Sequence, residues 1–146
     1  MERMSEAQWR EFVLCGTRTG KLALARGNGL PHVTPIWFLL DDSPGAAGIV
    51  FTTWSYSVKG RLLLREPRFS VCVDDQRPPY SYVLLECHVR EIVRDPEKLF
   101  SWASRIGARY MGPGQADTYG RRNSVLGELL VYGAVDKVIA LSGIAD

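Results

Sequence analysis

Histidine is scarce in this 146-residue chain: there are two, His32 and His88, far apart in sequence. Neither has a cysteine or carboxylate at ligand spacing, so the sequence predicts no zinc or iron site. His88 is expected to be a strand residue with a satisfied hydrogen bond, and His32, beside a turn, to be solvated. Cysteine is nearly as rare. Cys15, Cys72 and Cys87 have no CxxC spacing, their odd number prevents complete pairing within one chain, and each lies in an apolar stretch. They read as buried free thiols in a reducing compartment. There is no GxSxG elbow and no P-loop, which removes two common catalytic frames. No segment is long and apolar enough to span a bilayer, and the N-terminal MERMSEAQWREF is charged, with no apolar signal core. Eighteen basic residues face 16 acidic ones, a net charge of +2 without blocks of either sign. The expectation is a cytoplasmic protein with neither nucleic acid nor membrane as partner.

What is present is a series of short apolar runs separated by turn residues, over a length that fits one domain, 1–146. Ser5 with Gln8 three residues later forms a capping-box pattern, followed by Trp9, Phe12 and Val13 on one helical face. LALA (22–25), HVTPIWFLL (32–40) and GIVFTT (48–53) are separated by GNG (27–29) and DDSPG (41–45), and read as consecutive strands. SVKGRLLLRE (57–66) is helical and stops before Pro67. Strands follow at 69–75 and 82–93, on either side of the stiff RPPY loop (77–80). Asp95 and Pro96 start a helix over 96–110, whose Leu99, Ala103, Ile106 and Tyr110 share one face. After a short polar segment come two last strands, 126–132 and 136–141. The fold class is therefore mainly β with α, a six- to seven-stranded antiparallel barrel flanked by helices.

The strand at 33–40 is apolar on both faces: Val33, Pro35, Trp37 and Leu39 on one, Ile36, Phe38 and Leu40 on the other. A barrel interior covers one of them. A second subunit and a flat ligand are expected to cover the other. With no metal ligands in evidence, an organic cofactor would have to carry demanding chemistry.

The most informative stretch is FTTWSYSVKGR (51–61). A strand ends in Thr52 and Thr53, and a helix then opens with Ser57, Lys59 and Arg61. Free N–H groups and the dipole at a helix start suit a phosphate, and these side chains add donors. Ser57 and Arg61 share a face while Lys59 points elsewhere, so the three converge only on a ligand over the helix end. A capped amphipathic helix with two solvated basic residues explains the same pattern. Trp37 and Trp54 flank this region and either stack on a ring or pack internally; Trp102 reads as packing. Arg105 and Arg109, four apart on the 96–110 helix, either meet an anionic tail or form a solvated face. Gly60 inside a helix is costly and suggests a close approach by a ligand or a neighbouring strand.

The order HVTPIWF, FTT, SxKxR, LLLREPRFSVCVDD and RPPYSYVLLECHVREIVRDPEKL resembles the pyridoxamine phosphate oxidase-like superfamily of FMN-binding split barrels, most closely its actinobacterial branch that uses the deazaflavin F420. The likeness covers about residues 18–141. It implies a split barrel, homodimeric, with two cofactor sites along the subunit interface, and an oxidoreductase transferring hydride between F420 and an unsaturated small molecule. Carried over to this chain, Ser57, Lys59 and Arg61 would hold the phosphate, and Thr52 and Thr53 the ribityl chain or phosphate. The backbone of Thr34, Pro35, Ile36 and Trp37 would line the ring, with Tyr80 or Tyr82 reaching in from the partner. Tyr80 or Tyr56 would be the proton source. The alternatives are an FMN-dependent oxidase or reductase and a non-catalytic carrier of flavin, deazaflavin or haem. Two departures stand out: Leu62 occupies a position where the family commonly has Asn, and the C-terminal VYGAVDKVIALSGIAD lacks the basic, aromatic end of the oxidase branch.

Overall fold

The computed structural model describes residues 1–44 and 48–146. Gly45, in the expected turn at 41–45, therefore lies outside the described residues. The element order is β1 (Glu2–Arg3), α1 (Glu6–Leu14), β2 (Gly20–Ala25), β3 (Pro31–Ile36), β4 (Leu39–Asp41), β5 (Gly48–Trp54), α2 (Val58–Arg65), β6 (Arg68–Asp75), β7 (Ser81–Val93), α3 (Pro96–Met111), a 3-10 turn (Pro113–Gln115), α4 (Ala116–Arg122) and β8 (Glu128–Ser142). Local signals place the helix starts. Ser5 and Gln8 form the reciprocal capping box of α1. Ser57 caps α2, and Asp95 caps α3 with Pro96 in its first turn.

The strands form one antiparallel sheet in the order β3-β2-β6-β7-β8-β5-β4, with β1 added to β8. Among the described residues there are thus eight strands rather than six or seven. The sheet curls around a core that includes Val13, Leu22, Phe38, Ile49, Phe51, Val71, Val73, Val83, Leu85 and Val131, all fully buried. Its two ends, β3 and β4, are consecutive in the chain and joined through Trp37 and Phe38, without ladder bonds between them. This is the split of the barrel, and it corrects the expectation of one unbroken strand over 32–40. The break leaves the backbone of Phe38 without sheet partners, a costly state for buried polar groups. Helix α3 supplies them: the Phe38 N–H donates to Tyr110 Oη (3.4 Å), and Arg109 donates to the Phe38 carbonyl (2.7 Å).

Two further expectations change. The last two strands are one, β8, which pairs β5 on one side and β7 on the other across register shifts near Cys87 and Arg90. Gly133, which resembles a turn in the sequence, sits mid-strand, where glycine is required because a Cβ would lie 2.5 Å from the Phe69 ring. The polar segment after Gly112 holds the 3-10 turn and α4. This short helix lies against α3, where a Cβ on Gly107 would come 2.5 Å from Tyr119 Cβ.

As predicted, the two faces of 33–40 differ in a single chain. Ile36, Phe38 and Leu40 are buried, whereas Val33 is 58% exposed and Pro35 is exposed. Among the thiols Cys87 is buried and Cys72 half-buried, but Cys15 is exposed, contrary to expectation, because it lies just past the end of α1. His88 Nδ1 lies 2.8 Å from the Asp136 carboxylate, the satisfied strand histidine expected. His32 is half-buried rather than solvated, with Nδ1 3.0 Å from the Arg26 guanidinium. No helix among the described residues is long and apolar enough to cross a membrane.

Candidate functional site

Where β3 ends and α2 begins, a cleft of about 310 Å3 opens. Pro35, Ile36 and Trp37 form one wall, Thr52, Thr53 and Trp54 at the end of β5 another, and Lys59 enters from the first turn of α2. Ile106 of α3, Arg122 at the end of α4, Asn123 and Glu128 at the start of β8 complete it.

The approach of α2 to β5 follows from Gly60 and Ser57. A Cβ on Gly60 would collide with the Trp54 carbonyl oxygen, so glycine lets the helix start sit directly on the preceding loop. That loop backbone, rather than a ligand, is the close neighbour suggested by the sequence. Ser57 Oγ accepts from the Gly60 N–H (3.0 Å) and donates its proton to the Trp54 carbonyl (2.7 Å). Thr53 Oγ1, 3.2 Å from Ser57 Oγ, must then be the donor in that contact. Ser57 is consumed by capping and Thr53 offers the cleft lone pairs, not a proton.

Of the residues expected to hold a cofactor, the structure brings Pro35, Ile36, Trp37, Thr52, Thr53 and Lys59 together in this cleft. Thr34, Ser57, Arg61, Tyr80 and Tyr82 are not among its lining. Arg61 projects into a separate cavity of about 290 Å3 that it shares with Arg26 and Arg65, so the Ser-x-Lys-x-Arg cluster does not converge. The cause is the helical geometry noted above, which turns positions 59 and 61 to different sides of α2. Thr34 lies on β3 with its hydroxyl buried and without a hydrogen-bond partner. Tyr80 is 46% exposed at φ 64°, its segment tied to the C-terminus by the Ile144 N–H donating to the Tyr80 carbonyl (2.9 Å). Tyr56 is exposed, its ring 5.8 Å from that of Trp54.

Trp37 is held flat by α3, stacked on Tyr110 with centroids 5.2 Å apart. Trp102 packs edge-on against Tyr132, with the Arg105 guanidinium 4.0 Å above its ring. Arg109 is unavailable to an anion. It donates to the backbone carbonyls of Val13, Gly16, Arg18 and Phe38, and burial lowers its pKa.

Ile106, Arg122, Asn123 and Glu128 were not legible as site residues: Ile106 and Glu128 reach the cleft through long-range packing of α3 and pairing of β8 with β5, and nothing in the short polar segment signals that α4 packs on α3. Burial pushes the Glu128 carboxyl above the ordinary range, against the opposing fields of Arg122 and Lys59. Two cations, a hydroxyl-bearing strand end and a flat indole suit a ligand with an anionic end and a planar end.

A curled antiparallel sheet left open between consecutive strands, with such a cleft beside the opening, defines a split barrel. The family model described as pyridoxamine 5'-phosphate oxidase matches residues 5–129, and the chain belongs to that family. Among solved structures it is similar to the conserved hypothetical protein Rv2991 from Mycobacterium tuberculosis, at 28% identity and TM-score 0.80, over 96% of this chain and 86% of that one. An F420 reductase superposes at 23% identity and TM-score 0.67, over 88% and 94%. HutZ, the haem storage protein from Vibrio cholerae, does so at 16% identity and TM-score 0.71, over 97% and 98%. The last two likenesses are of fold alone. No curated protein matches the sequence.

Proposed function

We propose that this chain is an oxidoreductase that binds the deazaflavin F420 and transfers hydride between it and an unsaturated small molecule, working as a homodimer. The observation that carries the reading is the meeting of Lys59, the Thr52 and Thr53 strand end and the 35–37 wall in one cleft. The donor set fits a flavin-like group: Lys59 and Arg122 suit its phosphate, and the Pro35, Ile36 and Trp37 wall suits the edge of a planar ring. Such a ring, once bound, supplies hydride chemistry that no side chain of this protein can perform.

The chain's own residues bind, orient and shield. Lys59 anchors the phosphate end, Trp37 is kept rigid by Tyr110, and Ile106 excludes water from the back of the cleft. In one protomer the cleft is open, and Leu30 just before β3 and Val33 within it are 57% and 58% exposed. A second copy laid on this face would bury them and bring Tyr80 and Tyr82 to the site in trans. Preference for F420 over FMN rests on the motif order described above, since the fold is shared alike with an F420 reductase and a haem storage protein. Recovery of the protein from a host that makes both cofactors, with identification of what accompanies it, tests the reading. F420 bound and reducible is the expected result; FMN bound in its place would move the protein to the flavin oxidase or reductase class. Tight binding without turnover on enones, quinones or tetrapyrroles would make it a carrier.

A further inference from the structure

Three ionisable side chains line the cleft: Lys59 in the first turn of α2, Arg122 at the end of α4 and Glu128 at the start of β8. The rest of the lining, from β3, β5 and α3 together with Asn123, carries no titratable group. Without a ligand the carboxylate offsets part of the charge of two cations that converge on one space. The position of Glu128 is unusual for a surface acid. It opens β8 directly opposite Trp54 in the β5 ladder, half-buried beside the place where an anion would seat.

We infer that Lys59 and Arg122 together form the anion-holding end of the cleft, and that Glu128 is their resident counter-ion, which takes up a proton when a phosphate-bearing ligand seats. The argument is electrostatic. A phosphate placed between the two cations stands close to a half-buried carboxylate. Holding both negative charges in one partly desolvated site is costly; the two cations flank the phosphate and keep it ionised, so the proton goes to the carboxyl that burial already raises. The uptake is a plain protonation of Glu128 from solvent, with no bond broken elsewhere. Arg122 matters because α4 alone brings it there. The inference rests on the cofactor reading above and names the groups that set its charge preference.

The sign follows. A group that takes up a proton when the complex forms makes binding weaken as pH rises, and this is the direction of Glu128's contribution. FMN has an opposite trend of its own, because its phosphate loses a second proton near pH ~6. Comparison with Glu128→Gln removes that trend. The test titrates FMN and riboflavin, which lacks the phosphate, into wild type, Glu128→Gln and Arg122→Ala between pH 5 and 8. The ratio of wild-type to Glu128→Gln dissociation constants for FMN is expected near unity at pH 5 and about tenfold at pH 8, and flat for riboflavin. Arg122→Ala should weaken FMN about tenfold and riboflavin little. Calorimetry of the wild type at pH 8, where the FMN phosphate is already fully ionised, in two buffers of different ionisation enthalpy should show net proton uptake with FMN and none with riboflavin, a readout that needs no variant to fold. A flat ratio, weaker FMN binding by Glu128→Gln, or no proton uptake would overturn the inference while leaving cofactor binding intact. No binding of FMN or F420 by any form would overturn the cofactor reading together with it.

Discussion

Trp37 lies parallel to Tyr110, 5.2 Å apart with 7° between the ring planes, so the residue that joins the two ends of the open sheet is clamped by the helix that seals it. Tyr110 also donates to the Arg18 carbonyl (2.8 Å) and accepts from the Phe38 N–H. The split is closed by side chains where a complete barrel would use a ladder.

Tyr110→Phe separates these roles, keeping the stack and removing both hydrogen bonds. A loss of about 1–2 kcal/mol is expected in urea unfolding, with flavin or F420 affinity nearly unchanged. Trp37→Ala should instead lower cofactor affinity clearly, as read by fluorescence titration.

Arg109 satisfies four backbone carbonyls with one planar fork. A lysine cannot span them. Arg109→Lys should cost about 2–4 kcal/mol in equilibrium unfolding, because carbonyls at the split lose their donors. A change under about 0.5 kcal/mol would remove the clamp from the account.

Asp75 sits between Arg18 (3.0 Å) and Arg77 (2.9 Å). Hydrogen bonding from Arg77, with the field of Arg18 added, holds its carboxyl far below the ordinary range. A depressed folded-state pKa gives stability that is present above the unfolded value near ~4 and lost as pH falls below it. Asp75→Asn should therefore flatten the acid limb of the stability profile below pH ~4, and thermal melts across that range check this.

Thiol labelling at pH 8 should modify Cys15 quickly, as it is exposed. Cys87 should resist until the protein unfolds, since burial pushes its thiol up to about 12. Mass spectrometry of the labelled peptides distinguishes the two.

Much of the frame was readable because it is set locally. Ser5 with Gln8, and Asp95 with Pro96, are caps whose partners lie within a turn, and the apolar runs matched the strands that form. What was not readable depends on contacts distant in sequence. The break after Ile36 is stabilised by Arg109 and Tyr110, some 70 residues on. Gly133 is a glycine for the space that Phe69 takes, not for a turn. In the candidate site, Thr52, Thr53 and Lys59 were legible because strand end and helix start are adjacent. Arg122 and Glu128 were not: α4 brings Arg122 by packing on Gly107 of α3, and Glu128 arrives through the long-range pairing of β8 with β5. The separation of Lys59 from Arg61 follows from the helical period alone.

The central claim is that the cleft headed by Lys59, rather than the arginine cavity on the other side of α2, holds the cofactor's phosphate. Fluorescence titration of F420 and FMN into wild type, Lys59→Ala and Arg61→Ala tests it directly. The account predicts at least about tenfold weaker binding for Lys59→Ala and little change for Arg61→Ala. Unchanged binding in Lys59→Ala, or a loss confined to Arg61→Ala, would contradict it.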